Sequence, residues 1–277
     1  MKSNLNDPKK LVGKTLTPNA GIALDYEKAI VNLIAAMARD IKRELVISFT
    51  DIEIEDSPEH AMDGLSITPQ VRIKLNALLD KWTVRFNDLS KRATKRMMWR
   101  TERNADITLG MSLKEISKDL EIDVSKPSPR LKTVIQASTE EAANLIKLIP
   151  QKYLADVQGQ VMRSITSGNG LQDLVPYLTK QYKGNVNHAR LVARDQTRKA
   201  YNNIQAAKAQ DLGAESFIWV HHASKHPRER HVELDGHEFR FDDPPNIGKM
   251  YGVDVYGLPS QLPSCRCTMR LVFNWMK

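Results

Sequence analysis

The stretch Trp219-Val-His-His-Ala-Ser-Lys-His-Pro-Arg-Glu-Arg-His231-Val-Glu-Leu-Asp-Gly236 decides the reading, together with Cys265-Arg-Cys267 beyond a proline- and glycine-rich segment. The two cysteines of the chain sit one residue apart, and five of its seven histidines fall between His221 and His237. Thiolate and imidazole are the ligands zinc prefers. Side chains alternate along an extended segment, so Cys265 and Cys267 are expected to project to one face. Cys265, Cys267 and His231 are therefore candidate zinc ligands, with His222 as the fourth and His226 or His237 as alternatives to it. A structural zinc suits a small unit that buries little apolar surface. The other reading is a pair of reduced thiols, with His231 hydrogen-bonded to a backbone carbonyl. The spacing is not that of a standard finger.

Around this stretch the composition shifts at Gly213. Residues 216–221 read as a strand, Pro227 to Leu234 as a short helix closed by Gly236, and 237–241 as a second strand. Residues 242–264 read as a long irregular loop, and Cys267 to Trp275 as the last strand. Trp219 is expected in the core. Asp235-Gly236 reads as a turn, the acid acting as a local acceptor and the glycine supplying a positive φ. Arg228 is expected to hold the unit together by pairing with Asp235 or Glu233, or to contact phosphate. Arg194 and Asp195, adjacent on a helix, face different ways. Each is expected to make its own bond to the C-terminal unit.

Upstream of Gly213 the spacing is helical. Tyr26, Ile30, Leu33, Ile34 and Met37 recur every three or four residues. Thr68-Pro69 opens a second long helix, expected to run to about Arg103. Leu113 to Leu120 reads as a short helix capped by Ser112. A further helix begins near Thr139 and is expected to bend or restart at Pro150. Two more are expected at about 171–182 and 187–211, separated by Gly184. The fold class is α+β: an extended arm over 1–20, an elongated, mainly helical body over 21–212, and a small α+β unit over 213–277.

The net charge of +8 points to an anionic partner. Residues 81–104 hold eight Lys/Arg against two acids. Lys91, Arg92, Lys95, Arg96 and Arg100 are candidate contacts to DNA or an acidic partner; a solvated helix face is the other reading. Trp82, Phe86 and Trp99 are expected to pack inward. No run of 18 apolar residues is present, so no membrane-spanning helix is expected. The N-terminus lacks the apolar core of a signal peptide, which implies synthesis in a reducing cytoplasm. Cysteines one residue apart argue against a disulfide framework.

The ordered set of Val192-Ala-Arg-Asp-Gln-Thr-Arg198, Tyr201-Asn202, Gly213, Trp219, Ser224-Lys-His-Pro-Arg228-x-x-His231-x-x-Leu-Asp-Gly236, Phe239 and Cys265-Arg-Cys267 resembles one family. It is the phage Mu protein F-like, or phage head morphogenesis (minor head protein), family. The resemblance covers about residues 140–274. It implies a minor structural protein of a tailed-phage head, acting in procapsid and head morphogenesis. The implied partners are the portal protein, the major capsid or scaffold protein, and packaged double-stranded DNA. The implied location is the virion, in the head interior or at the portal vertex, after synthesis in the bacterial host cytoplasm. Other branches of the family carry a second cysteine pair or an acid between Trp219 and His231. Here Ser224, Lys225 and histidines stand there, so any metal site is mixed Cys/His. No catalytic constellation is apparent, and no enzymatic activity is expected. The alternative is a metal-dependent nuclease or other phosphodiester hydrolase, with His231 as general base or ligand and Arg228 on phosphate.

Overall fold

Buried apolar side chains recur every three or four residues along four long stretches, and a helix places such a spacing on one face. The computed structural model describes residues 9–55, 67–116 and 123–275. Strand β1 (Lys9–Thr15) precedes four long helices: α1 (Ala20–Glu55), α2 (Ile67–Ile116), α3 (Pro129–Thr166) and α4 (Leu171–Asp211). The remainder is β2 (Ser216–Val220), α5 (Glu229–Glu233), β3 (Glu238–Arg240), β4 (Asn246–Met250), β5 (Val253–Tyr256) and β6 (Thr268–Trp275). The class is α+β, with a long helical part followed by a small sheet region.

Two compact units divide the chain. One comprises residues 25–94 and 141–192. In its core Ile30, Ile34, Met37 and Ile41 of α1 and Trp82 and Phe86 of α2 are buried, as are Ile146, Tyr153 and Val157 of α3. Asp40 ties α1 to α2 by accepting bonds from Lys81 Nζ at 2.7 Å and Trp82 Nε1 at 3.0 Å. Against partial burial, those two bonds hold its carboxyl below the usual range.

The other unit comprises residues 1–24, 95–140 and 193–277 and contains the sheets. The four-stranded sheet has the order β1-β6-β2-β3, antiparallel throughout. Strand β6 lies between β1 and β2, so both its edges are paired; Met269, Leu271, Val272 and Phe273, which alternate between its two faces, are all buried. Phe217 on β2 packs against the rings of Phe239 and Phe241 at 6.1 and 5.1 Å. On α4 a run of small side chains, Ala200, Ala206, Ala207 and Ala209, is buried. Tyr201 and Gln205 bond there to Thr108 Oγ1 of α2, both at 2.7 Å.

Several local expectations are corrected. The helices expected at 171–182 and 187–211 are one helix, α4. Leu174, Leu178, Val186, Ala189 and Ala193 keep one buried stripe across Gly184, and that packing outweighs the glycine's cost. α3 does not restart at Pro150, and Ile146, Ile149, Tyr153 and Val157 are buried on both sides of it. Residues 113–116 close α2 rather than open a new helix, while 117–120 lie outside the described residues. Ser112 is buried within α2, and its hydroxyl accepts the Lys14 N–H at 3.0 Å instead of capping. The segment 242–264 is not wholly irregular. It contains the β4–β5 hairpin, whose two-residue turn places Tyr251 at φ 53° and Gly252 at φ 82°. Positive φ at both positions matches the twist of a tight hairpin. Of the segment expected as an arm, 1–8 lies outside the described residues, and β1 pairs with β6 from Lys9 onward.

Gly184 is exposed within α4, and nothing lies within 4 Å of where a Cβ would stand. Gly184→Ala should therefore stabilise the chain by about 0.5–1 kcal/mol in a denaturant titration. A loss of stability would mean that the chain turns there.

Candidate functional site

Gly236 and Asp235 set the geometry in which the histidines and cysteines meet. Gly236, at φ 76°, donates its N–H to the Trp219 carbonyl at 2.9 Å, and Trp219 donates back to the His237 carbonyl at 2.9 Å. Asp235 Oδ1 accepts the His221 N–H at 2.8 Å, which fixes the end of β2. Between these anchors the single turn of α5 carries His231 inward, where it is 2% exposed. The Trp219 indole, fully buried, meets the His231 ring edge-on at 5.3 Å.

The His231 ring is oriented by one bond. Its Nε2 lies 3.0 Å from the Ile247 carbonyl of β4. A carbonyl oxygen only accepts, so Nε2 carries a proton and Nδ1 is the nitrogen turned to the sulfurs. It lies 3.4 Å from Cys265 Sγ and 3.6 Å from Cys267 Sγ. The three ligand atoms lie within 4.8 Å of one another, and all three residues are buried. Around a tetrahedral zinc with Zn–S of about 2.3 Å and Zn–N of about 2.0 Å, sulfur and nitrogen stand about 3.5 Å apart. The three residues therefore fit a zinc in both chemistry and spacing. The outward nitrogen, bonded to a carbonyl, is the usual support for a ligating histidine.

The Cys265 thiol is drawn down to about 4 by the hydrogen bond from Cys267, against its burial and with help from His231. Cys267 is pushed upward by its hydrogen bond to Cys265, then by burial and the charge on Cys265. Neither cysteine is in a disulfide.

The loop before β6 is pinned by α4. Asn202 Nδ2 donates to Ser260 Oγ at 2.9 Å, and Ser260 Oγ donates to the Cys267 carbonyl at 3.0 Å. Gln261 Nε2 donates to Asn203 Oδ1 at 2.6 Å. Asp195 Oδ2 accepts the Ser264 N–H at 2.7 Å, and burial raises the pKa of that carboxyl. Ser260 and Ser264 hold φ of 69° and 61°, a strained conformation that these bonds offset.

Of the sequence-derived ligands, Cys265, Cys267 and His231 come together. His222 does not join them: its Nε2 lies 2.9 Å from Thr268 Oγ1. Its neighbour His221 approaches instead, Nδ1 3.5 Å from Cys267 Sγ, though outside the group of three. At the end of a strand the two histidines point to opposite faces, and composition does not say which one points inward. His226 and His237 are exposed. Arg228 pairs with neither acid; its Nη2 donates to the Pro263 carbonyl at 2.7 Å, and Arg230 takes Glu233 at 2.9 Å. Arg194 is exposed on α4. On α2, Lys91, Arg92, Lys95 and Arg96 are exposed and Arg100 half-buried. Trp82 and Phe86 are buried, but Trp99 is 56% exposed, with the Arg103 guanidinium 5.1 Å over its ring. It stands on the side of the helix opposite buried Met97 and Thr101. Sequence reasoning did not single out Asn203, Ser260 or His221; the adjacent Asn202-Asn203 pair on α4 was the available signal.

Residues 155–270 match the family model described as Phage Mu protein F like protein. That span begins within α3 and ends in β6, and so contains every residue of the Cys/His cluster. A protein of Haemophilus influenzae strain Rd, named as an uncharacterized protein, is 30% identical over 160 residues. The alignment covers 55% of this chain and 34% of that relative, so the chain spans about a third of the relative's length. No solved structure matches the chain.

The thiols, 4% and 2% exposed, should resist a bulky thiol reagent in the native chain. Asn202→Ala frees the loop that carries them and should speed labelling by about tenfold, the equivalent of ~1.4 kcal/mol of easier local opening. His222→Ala should leave the rate unchanged; equal effects of the two substitutions would contradict this assignment of the pins.

Proposed function

We propose that this chain, which carries a phage Mu protein F-like domain in residues 155–270, is a minor structural protein of a tailed-phage head that associates with the portal. A part in phage head morphogenesis is what the family supports, and the domain match carries the reading. The site geometry agrees with a structural rather than a hydrolytic role. His231 is buried, its Nε2 is committed to a backbone carbonyl and its Nδ1 faces two sulfurs, so it does not reach a phosphodiester. The exposed basic side chains of α2, with Trp99 beside them, are where this reading puts contact with packaged DNA. The chain should co-sediment with purified heads and be retained by immobilised portal protein in ~150 mM salt. Heads that contain portal but lack this chain would refute the reading. DNA affinity should fall steeply between ~50 and ~200 mM salt. Replacing Lys91, Arg92, Lys95 and Arg96 by Gln should lower that slope by roughly one for each phosphate that is no longer neutralised. An unchanged slope would reassign the helix to a solvated or protein-contacting face.

In the same reading, Cys265, Cys267 and His231 hold a structural zinc that joins α5 to the start of β6. Elemental analysis after dialysis should find about one zinc per chain, absent from Cys265→Ser. Chelation should lower the melting temperature of the wild type but not of that variant. Metal-free protein with unchanged melting would leave the cluster as a pair of thiols.

A further inference from the structure

Two sulfurs and one imidazole leave a tetrahedral metal one ligand short. Metal sites that only hold a fold are closed by a fourth protein ligand, whereas an open place takes water and serves catalysis. The group that stands at this place therefore bears on what the cluster does. Four histidines besides His231 lie between positions 221 and 237, and the structure separates them. His226 and His237 are exposed. His222 is half-buried, and its Nε2 is engaged by Thr268 Oγ1 at 2.9 Å.

His221 is placed differently. It is half-buried, and its Nδ1 lies 3.5 Å from Cys267 Sγ. The register of β2 on β6 accounts for this: Val220 pairs with Thr268, so one step further His221 comes opposite Cys267. A tetrahedral zinc sets a sulfur and a nitrogen ligand about 3.5 Å apart. The separations of 3.4 and 3.6 Å from His231 Nδ1 to the two sulfurs match that length as well. Three of the four sulfur–nitrogen edges of a tetrahedron with two cysteines and two histidines are thus in place. His221 still stands outside the compact group of three, so its ring has to turn further inward for the last contacts. Rotation about its side-chain bonds carries the ring while the Asp235 carboxylate keeps hold of the His221 N–H at 2.8 Å.

Charge selects an imidazole for this place too. Two thiolates balance a divalent cation, so a third anion would leave a buried net charge, and a neutral imidazole does not. The surroundings suit thiolates. The Cys267 backbone N–H lies at Cys265 Sγ, and the His222 backbone N–H lies at Cys267 Sγ. The buried Trp219 Nε1 has no regular hydrogen-bond partner among the described residues, and it too lies beside Cys267 Sγ. A sulfur that carries negative charge is the stronger acceptor for that N–H.

We propose that His221 is the fourth metal ligand, and that Cys265, Cys267, His221 and His231 form a closed site tying the end of β2 to α5 and to the approach to β6. The proposal rests on the zinc reading given above and adds the residue that completes it. A closed site has no place for a metal-bound water, which agrees with holding the fold rather than with hydrolysis.

Cobalt(II) added to the full chain under reducing conditions tests this by visible absorption, with zinc affinity measured by competition against a chromophoric chelator. The wild type should show the intense bands of four-coordinate cobalt, unchanged around neutral pH. In His221→Ala the bands should shift and weaken as water takes the vacant place, and they should change with pH as that water titrates. Its zinc affinity should fall by at least about tenfold. His222→Ala should keep both spectrum and affinity. His221→Cys should recover the pH-independent spectrum with added thiolate charge-transfer absorbance, which a misfolded chain would not do. If the wild type binds both metals and His221→Ala matches it in spectrum and affinity, the proposal is overturned while the zinc reading stands. A pH-dependent spectrum in His222→Ala instead would overturn it in favour of His222. A wild type that binds neither metal overturns the zinc reading and the proposal together.

Discussion

The hydrogen bond from His231 Nε2 to the Ile247 carbonyl is the contact on which the segment from β2 to β6 depends. It joins α5, which is a single turn, to a hairpin of two short strands, and neither element buries enough apolar surface to stand alone. Committing one ring nitrogen to the hairpin leaves the other to the sulfurs. One imidazole thus connects three segments that are distant in sequence: α5, β4 and the approach to β6. Trp219 packs against its ring, and the sheet continues from Trp219 outward.

Much of this was legible in the sequence. The change from helical spacing to short alternating runs placed β2, α5, β3 and β6 close to where they stand, because burial on one face imposes a period. The grouping of Cys265, Cys267 and His231 was legible because those side chains share a chemistry. Gly184 misled for the opposite reason: it reports local backbone preference, and the buried stripe on both sides overrode it. The β4–β5 hairpin was hidden because Tyr251-Gly252 is not one of the strong turn pairs and its strands are largely exposed. The inward choice of His221 over His222 depends on where β2 ends, which adjacent identical residues cannot signal.

The α2 cations Lys91, Arg92, Lys95 and Arg96 are exposed, and Arg92 has Asp88 3.9 Å away on the same helix, a pairing worth little in water. Exposed positive charge of this kind suits a salt-sensitive contact with a polyanion.

The central claim is that His231 keeps a proton on Nε2, bonded to the Ile247 carbonyl, with its Nδ1 directed at the sulfurs. A long-range proton–nitrogen correlation spectrum of chain labelled with nitrogen-15 at histidine, assigned through His231→Gln, reads this directly. The account predicts a protonated Nε2 in every state, and an Nδ1 that carries no proton once a metal is bound. A proton on Nδ1 with Nε2 bare would contradict it, because neither the Ile247 bond nor a ligand role would then be available to His231.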